Sequence, residues 1–221
     1  MKTVWTKICG VRDERIVPLL KPLVPDAIGL NFYPQSARQV EPDRAARIVR
    51  ILPEGILPIG LFVNRPYDEI IAITKTAQLK TVQLHGHETV EFAGRLSDAG
   101  LQILRAFRVD ATTGLGPVHQ ELDDYRRIGV PLWACLADAS VSGAFGGTGH
   151  EAPWEILKEW RPSDPPLILA GGLTPQNVAA AVSSVRPFGV DVASGIEHHA
   201  GQQDVTKIQE FLAAANASTI S

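Results

Sequence analysis

The chain has 221 residues, 45% hydrophobic and 20% charged, which is enough to bury a sizeable core as one α/β domain. Its formal net charge is −3 and its 21 Lys and Arg residues are dispersed, which excludes the electrostatic footprint of a nucleic-acid or anionic-membrane binder. Two cysteines, Cys9 and Cys135, exclude a disulfide framework, and no apolar run is long enough to span a bilayer; the expectation is a soluble, unprocessed protein of a reducing cytoplasm that acts on a small molecule.

Short β-branched apolar runs alternate with amphipathic segments along the chain, the pattern of a parallel sheet with crossover helices. In chain order, strands are predicted at residues 4–9, 27–32, 58–63, 81–85, 102–109, 131–138, 167–170 and 190–194. Each is followed by helical spacing or a helix start. After the seventh strand, Thr174 and Pro175 are expected to cap and open a helix whose buried face carries Val178, Ala181, Val182 and Val185. Asp204 is expected to cap the last helix, which carries Val205, Ile208, Phe211 and Leu212. Residues 216–221 are small and polar and are expected to fray, and no linker composition divides residues 1–215 into two domains.

Eight β/α units close into a barrel or lie as an open doubly wound sheet. A dinucleotide-binding sheet needs G-x-G-x-x-G after its first strand. Here that strand ends Lys7-Ile8-Cys9-Gly10, and the glycine-rich turns come after strands six, seven and eight. A (β/α)8 barrel commonly holds phosphate on the turns after strands seven and eight, where Gly171-Gly172-Leu173-Thr174 and Ser194-Gly195-Ile196-Glu197 fall. The expected fold is therefore a single-domain (β/α)8 TIM barrel binding a phosphorylated small molecule. Glycines in such turns also serve simply to make them tight.

Barrel chemistry sits at the carboxyl ends of the strands, where side chains alternate in and out. Lys7 and Cys9 share parity, so an inward Cys9 would have the Lys7 ammonium one step below it, which favours a thiolate and makes Cys9 a candidate base. A lone strand cysteine also serves as a small core hydrophobe. On strand six, Asp138 shares parity with Leu132, Ala134 and Leu136 while Cys135 points the other way. An inward, buried Asp138 would be a candidate acid, and Cys135 would be inert beneath the helices. The alternative for Asp138 is a helix cap or a structural ion pair. The His85/His87 and His198/His199 pairs fall in two separate loops, so no metal site is expected.

These strand-end stretches carry a resemblance. Lys7-Ile8-Cys9-Gly10, Gly29-Leu30-Asn31-Phe32-Tyr33-Pro34-Gln35-Ser36-Ala37-Arg38, Gly60-Leu61-Phe62-Val63-Asn64 and Val82-Gln83-Leu84-His85-Gly86 occur in that order. They are followed by Leu136-Ala137-Asp138, Gly146-Gly147-Thr148-Gly149, the run from Leu169 to Val178 and the run from Gly189 to Glu197. Together they resemble the phosphoribosylanthranilate isomerases of tryptophan biosynthesis from end to end. The resemblance implies a cofactor-free Amadori rearrangement with Cys9 as general base and Asp138 as general acid. It also implies that Arg38 grips the anthranilate carboxylate, for which a planar guanidinium fork is suited. Lys7, Gln83 and Asp191 join Arg38 as expected substrate-binding residues. Gly147, Gly171, Gly172, Ser194 and Gly195 are the expected phosphate-binding residues.

The chain departs from the family pattern at a few positions. Ala37 replaces the usual proline before Arg38, which would free that loop, and Ala137, His87, His150 and the His198-His199 pair are also unusual. None removes a proposed catalytic group. The related isomerase of histidine biosynthesis, or an enzyme serving both pathways, would carry aspartates in both catalytic roles and a two-fold repeat of phosphate loops. Cys9 and the lack of a matching repeat argue against both. A non-catalytic phosphate-binding barrel would keep the glycine turns and lose the acid or base. Monomer and homodimer are not separated by the sequence.

Overall fold

The computed structural model describes residues 4–109, 112–138 and 154–217. Eight parallel strands run β1 (Trp5–Cys9), β2 (Ala27–Asn31), β3 (Leu57–Phe62), β4 (Thr81–Leu84), β5 (Gln102–Arg108), β6 (Ala134–Asp138), β7 (Leu167–Ala170) and β8 (Gly189–Val192). Each pairs with the next, and β8 closes on β1 through the register Lys7 to Asp191. The fold is the expected (β/α)8 barrel. Its helices are α1 (Val17–Leu20), α2 (Pro42–Arg50), α3 (Tyr67–Thr76), α4 (Val90–Asp98), α5 (Gly116–Arg127), α6 (Trp154–Leu157), α7 (Val178–Val185) and α8 (Val205–Ala217).

The strands read as nearly continuous apolar runs because both of their faces are buried. Outward side chains, Cys135 and Ala137 among them, join the large core beneath the helices. Inward ones such as Ala27, Ile59, Leu104, Ala134, Leu136 and Ile168 pack a smaller cluster inside the barrel. Trp5 and Trp133, edge to face at 5.5 Å between centroids, pack against the inner cluster. Above it the inward layer turns polar, with Lys7, Gln83 and Asp191 all buried.

Three local expectations are corrected. Strand six starts at Ala134 rather than 131, since Pro131 has no N–H to give to a ladder. Thr174 does not cap α7, because residues 175–177 form a turn and the helix begins at Val178. Asn177 holds that turn instead, accepting from the Thr174 N–H at 2.8 Å and donating to the Gly172 carbonyl at 3.0 Å. The last helix runs to Ala217, so Asn216 is helical and its side chain donates to the Leu212 carbonyl at 2.9 Å. Asp204 does cap α8, accepting from the Thr206 N–H at 2.8 Å.

Beyond β8 the chain makes a short antiparallel hairpin, β9 (Glu197–His199) with β10 (Gln202–Gln203). Gln203 donates to the Gly10 carbonyl at 2.6 Å, which ties this hairpin to the turn after β1.

Candidate active site

A cavity of about 410 Å³ opens at the carboxyl ends of the strands. Cys9 and Asp138 both line it, as do Arg38, Gln83, Asp191, Gly171, Gly172 and Ser194. The base and acid candidates, the carboxylate-gripping candidate and two late turns therefore share one pocket. Gly147 lies outside the described residues, as do the rest of its glycine run and His150.

Lys7 does not reach the cavity. Its side chain is 0% exposed and its Nζ donates to Gln83 Oε1 at 2.9 Å and Asp191 Oδ1 at 3.0 Å. Lys7, expected to touch substrate, lies beneath the cavity floor and meets Gln83 and Asp191, which do line it. Burial works against its ammonium, but Asp191 and Cys9 outweigh that and the pKa is raised on balance. Burial likewise pushes Asp191 up while Lys7 pulls it down.

For Cys9 the expected sign is reversed. Burial pushes the thiol above its ordinary range, and the Lys7 ammonium only offsets part of that because Asp191 opposes it. Burial thus favours the protonated thiol. Its position depends on Gly29 of β2, where a Cβ would lie 2.7 Å from Cys9 Sγ and 3.2 Å from Lys7 Cε. No other residue leaves that space.

Asp138 is not buried as expected: 26% of its side chain is exposed. Beside it, His85 Nε2 lies 3.9 Å from Asp138 Oδ2, and sequence reasoning weighed His85 only as a metal ligand. Gln83 fixes the imidazole. Its Oε1 accepts from Lys7, so its Nε2 faces His85 Nδ1 at 3.2 Å and leaves the ring proton on Nε2, toward Asp138. Burial lowers the His85 pKa, which keeps the ring neutral. A polar chain from Lys7 through Gln83 and His85 thus links the floor under Cys9 to Asp138. The shared parity of Gln83 on β4 and His85 just past its end was the signal available for it.

The two late turns touch. Gly171 and Gly172 have φ of 92° and 63°, and Ser194 opens a 3-10 turn directly after β8. Gly195 does not line the cavity; a Cβ there would fall 1.9 Å from the Leu173 carbonyl oxygen, so it allows the turns to close on each other.

Arg38 is held rather than loose, despite Ala37. Asn31 and Ser36 hydrogen-bond within the loop, Ser36 Oγ accepts from the Arg38 N–H at 3.1 Å, and Arg12 donates to the Ala37 carbonyl at 2.5 Å. Its guanidinium meets Glu197 of β9 through Nε at 2.8 Å and Nη2 at 2.6 Å. These hydrogen bonds raise its pKa against the effect of burial. Glu197 was read only as part of a glycine-turn motif.

Residues 6–214 match the family model for N-(5'-phosphoribosyl)anthranilate isomerase. The chain belongs to that family. A relative of the same name from Trichlorobacter lovleyi is 38% identical over 209 residues, covering 95% of this chain and 96% of its own. The crystal structure of phosphoribosyl anthranilate isomerase from Thermotoga maritima superposes with a TM-score of 0.84 at 32% identity, covering 97% of this chain and 99% of that one. A second isomerase structure, in complex with reduced 1-(o-carboxyphenylamino)-1-deoxyribulose 5-phosphate, gives a TM-score of 0.81 at 31% identity with the same coverage. The strand-end motifs are thus those of the isomerase family across nearly the whole chain.

Proposed function

We propose that this chain converts N-(5'-phosphoribosyl)anthranilate to 1-(o-carboxyphenylamino)-1-deoxyribulose 5-phosphate, with Cys9 as base and Asp138 as acid. The observation that carries the reading is a single cavity lined by Cys9, Asp138, Arg38 and the glycine turn Gly171-Gly172, in a member of this isomerase family. The related structure with the reduced product analogue supports the substrate class.

In this reading the phosphate lies on the turns after β7 and β8, where Gly171, Gly172 and Ser194 face the cavity. Gly195 supports those turns from behind. The aryl carboxylate meets Arg38. Asp138 gives its proton to the ring oxygen as the C1–O bond breaks, and the nitrogen lone pair forms the C1=N bond of the Schiff base. The Cys9 thiolate takes the C2 proton, and those electrons close a C1=C2 bond while the iminium nitrogen becomes neutral. The enolamine then loses its hydroxyl proton and gains one at C1 to give the ketone. The net change consumes no proton, so thiol and carboxylate return to their starting states by exchange with water. Each placed proton transfer typically contributes about 10²–10⁴-fold.

We assign the chain to the reducing cytoplasm, which suits two free, buried cysteines. Loss of phosphoribosylanthranilate fluorescence tests the activity. Wild type should turn over, and Cys9→Ser and Asp138→Asn should each fall by at least about 10²-fold. An unchanged rate in either variant removes that residue from its role.

A further inference from the structure

The Arg38–Glu197 pair goes beyond what either residue's motif suggests. Glu197 is 4% exposed at its side chain and does not line the cavity, whereas Arg38 does. Its carboxylate takes the Nε–Nη2 edge of the guanidinium through both oxygens. A guanidinium has five N–H donors in a fixed plane, so a carboxylate on that side edge leaves the Nη1–Nη2 end edge to a second planar acceptor. Among the described residues, no hydrogen bond from Arg38 Nη1 is found.

Glu197 is itself fixed. Its Oε1 also accepts from the Gly201 N–H at 3.1 Å, and its carbonyl accepts from Lys207 Nζ of α8 at 2.8 Å. The alkyl stem of Arg38 meanwhile lies over Gly10, where a Cβ would stand 2.7 Å from Arg38 Cδ. A hairpin after β8 and a turn after β1 thus lock the orientation of a side chain that comes from the loop after β2. A cation needed only for its charge would not require its plane to be fixed.

We infer that Glu197 is a positioning residue which sets the plane of Arg38, so that the free end edge of the guanidinium takes the substrate's aryl carboxylate as a two-point fork and selects for it. The inference rests on the proposed isomerase reading and on Arg38 as the carboxylate's partner. It assigns Glu197 a part in selectivity rather than in the proton transfers.

The test compares kcat/KM for phosphoribosylanthranilate with that for N-(5'-phosphoribosyl)aniline, the same substrate without its ring carboxylate. Partners that orient metal ligands typically cost about 10–100-fold when lost, and the same order is expected for one that orients Arg38. Glu197→Gln should lower kcat/KM for the carboxylate substrate by that factor, mostly through KM, and leave the aniline compound nearly unchanged. Glu197→Asp keeps the charge on a shorter stem and should show a smaller loss of the same kind, which covers the case of a Gln variant that does not fold. An equal fall on both substrates marks a merely structural residue and overturns the inference, as does no change on either. Arg38→Ala provides the separating arm: if it does not discriminate between the substrates, the reading of Arg38 fails along with the inference. Absence of wild-type turnover would fail the isomerase reading itself.

Discussion

Cys9 is a thiol whose neighbours pull in opposite directions. Burial and Asp191 resist ionisation, and Lys7 favours it without prevailing. The base therefore has to be deprotonated in a minor fraction of molecules near neutral pH, and that fraction grows as pH rises toward its raised pKa. The pH dependence of kcat/KM reports Cys9 and Asp138 together, and the acid is lost as the thiolate is gained, so the thiol is better followed by itself. Thiolate absorbance near about 240 nm, wild type minus Cys9→Ser, should stay low through neutral pH and rise only above the ordinary cysteine value of about 8.5. A difference spectrum that already shows full thiolate at about pH 7 would mean that Lys7 prevails over burial. At this scale the sequence was only half legible: parity put Cys9 above Lys7, but Asp191 comes from a strand 184 residues away and cancels part of the ammonium's effect. No spacing along β1 reveals that.

The strands that close the barrel, β1 and β8, share a buried ion pair across their register. Such a pair contributes little net stability when whole, because taking both charges out of water offsets their attraction. Breaking it is another matter. Lys7→Met would leave Asp191 buried without its ammonium and should cost about 3–5 kcal/mol in urea unfolding, while Lys7→Met with Asp191→Leu should recover much of that loss. Equal losses in the single and double variants would show that Lys7 stabilises through packing and not through the pair. Element identity was well legible because each run is apolar and bounded by turn residues. The miss at Thr174 has a local cause: Asn177 supplies the hydrogen bonds expected of a cap and defers the helix to Val178. Glu197 was missed because its partner, Arg38, lies on a loop 159 residues earlier, and only closure of the barrel brings the two together.

Across the whole molecule, several proton-binding groups are shifted the same way. Burial raises Cys9, Cys135 and the Tyr125 phenol, and Lys7 is also raised on balance. A group whose pKa is higher in the fold than in the unfolded chain stabilises fully below its unfolded value, and loses that contribution as pH rises toward its folded value. The unfolded thiols ionise near about 8.5, tyrosine near about 10 and lysine near about 10.4. Stability should therefore hold near neutrality and decline above about pH 8.5, first through the thiols. A buried thiol kept protonated at about pH 10 corresponds to roughly 2 kcal/mol lost relative to neutral pH. Cys135 packs outward beneath the helices and does not line the active-site cavity, so its share can be isolated. Urea midpoints measured from about pH 7 to about pH 10 should fall steadily in wild type and less steeply in Cys135→Ala. A midpoint that stayed level or rose over that range would mean that the raised thiol and phenol pKa values are not properties of the folded barrel.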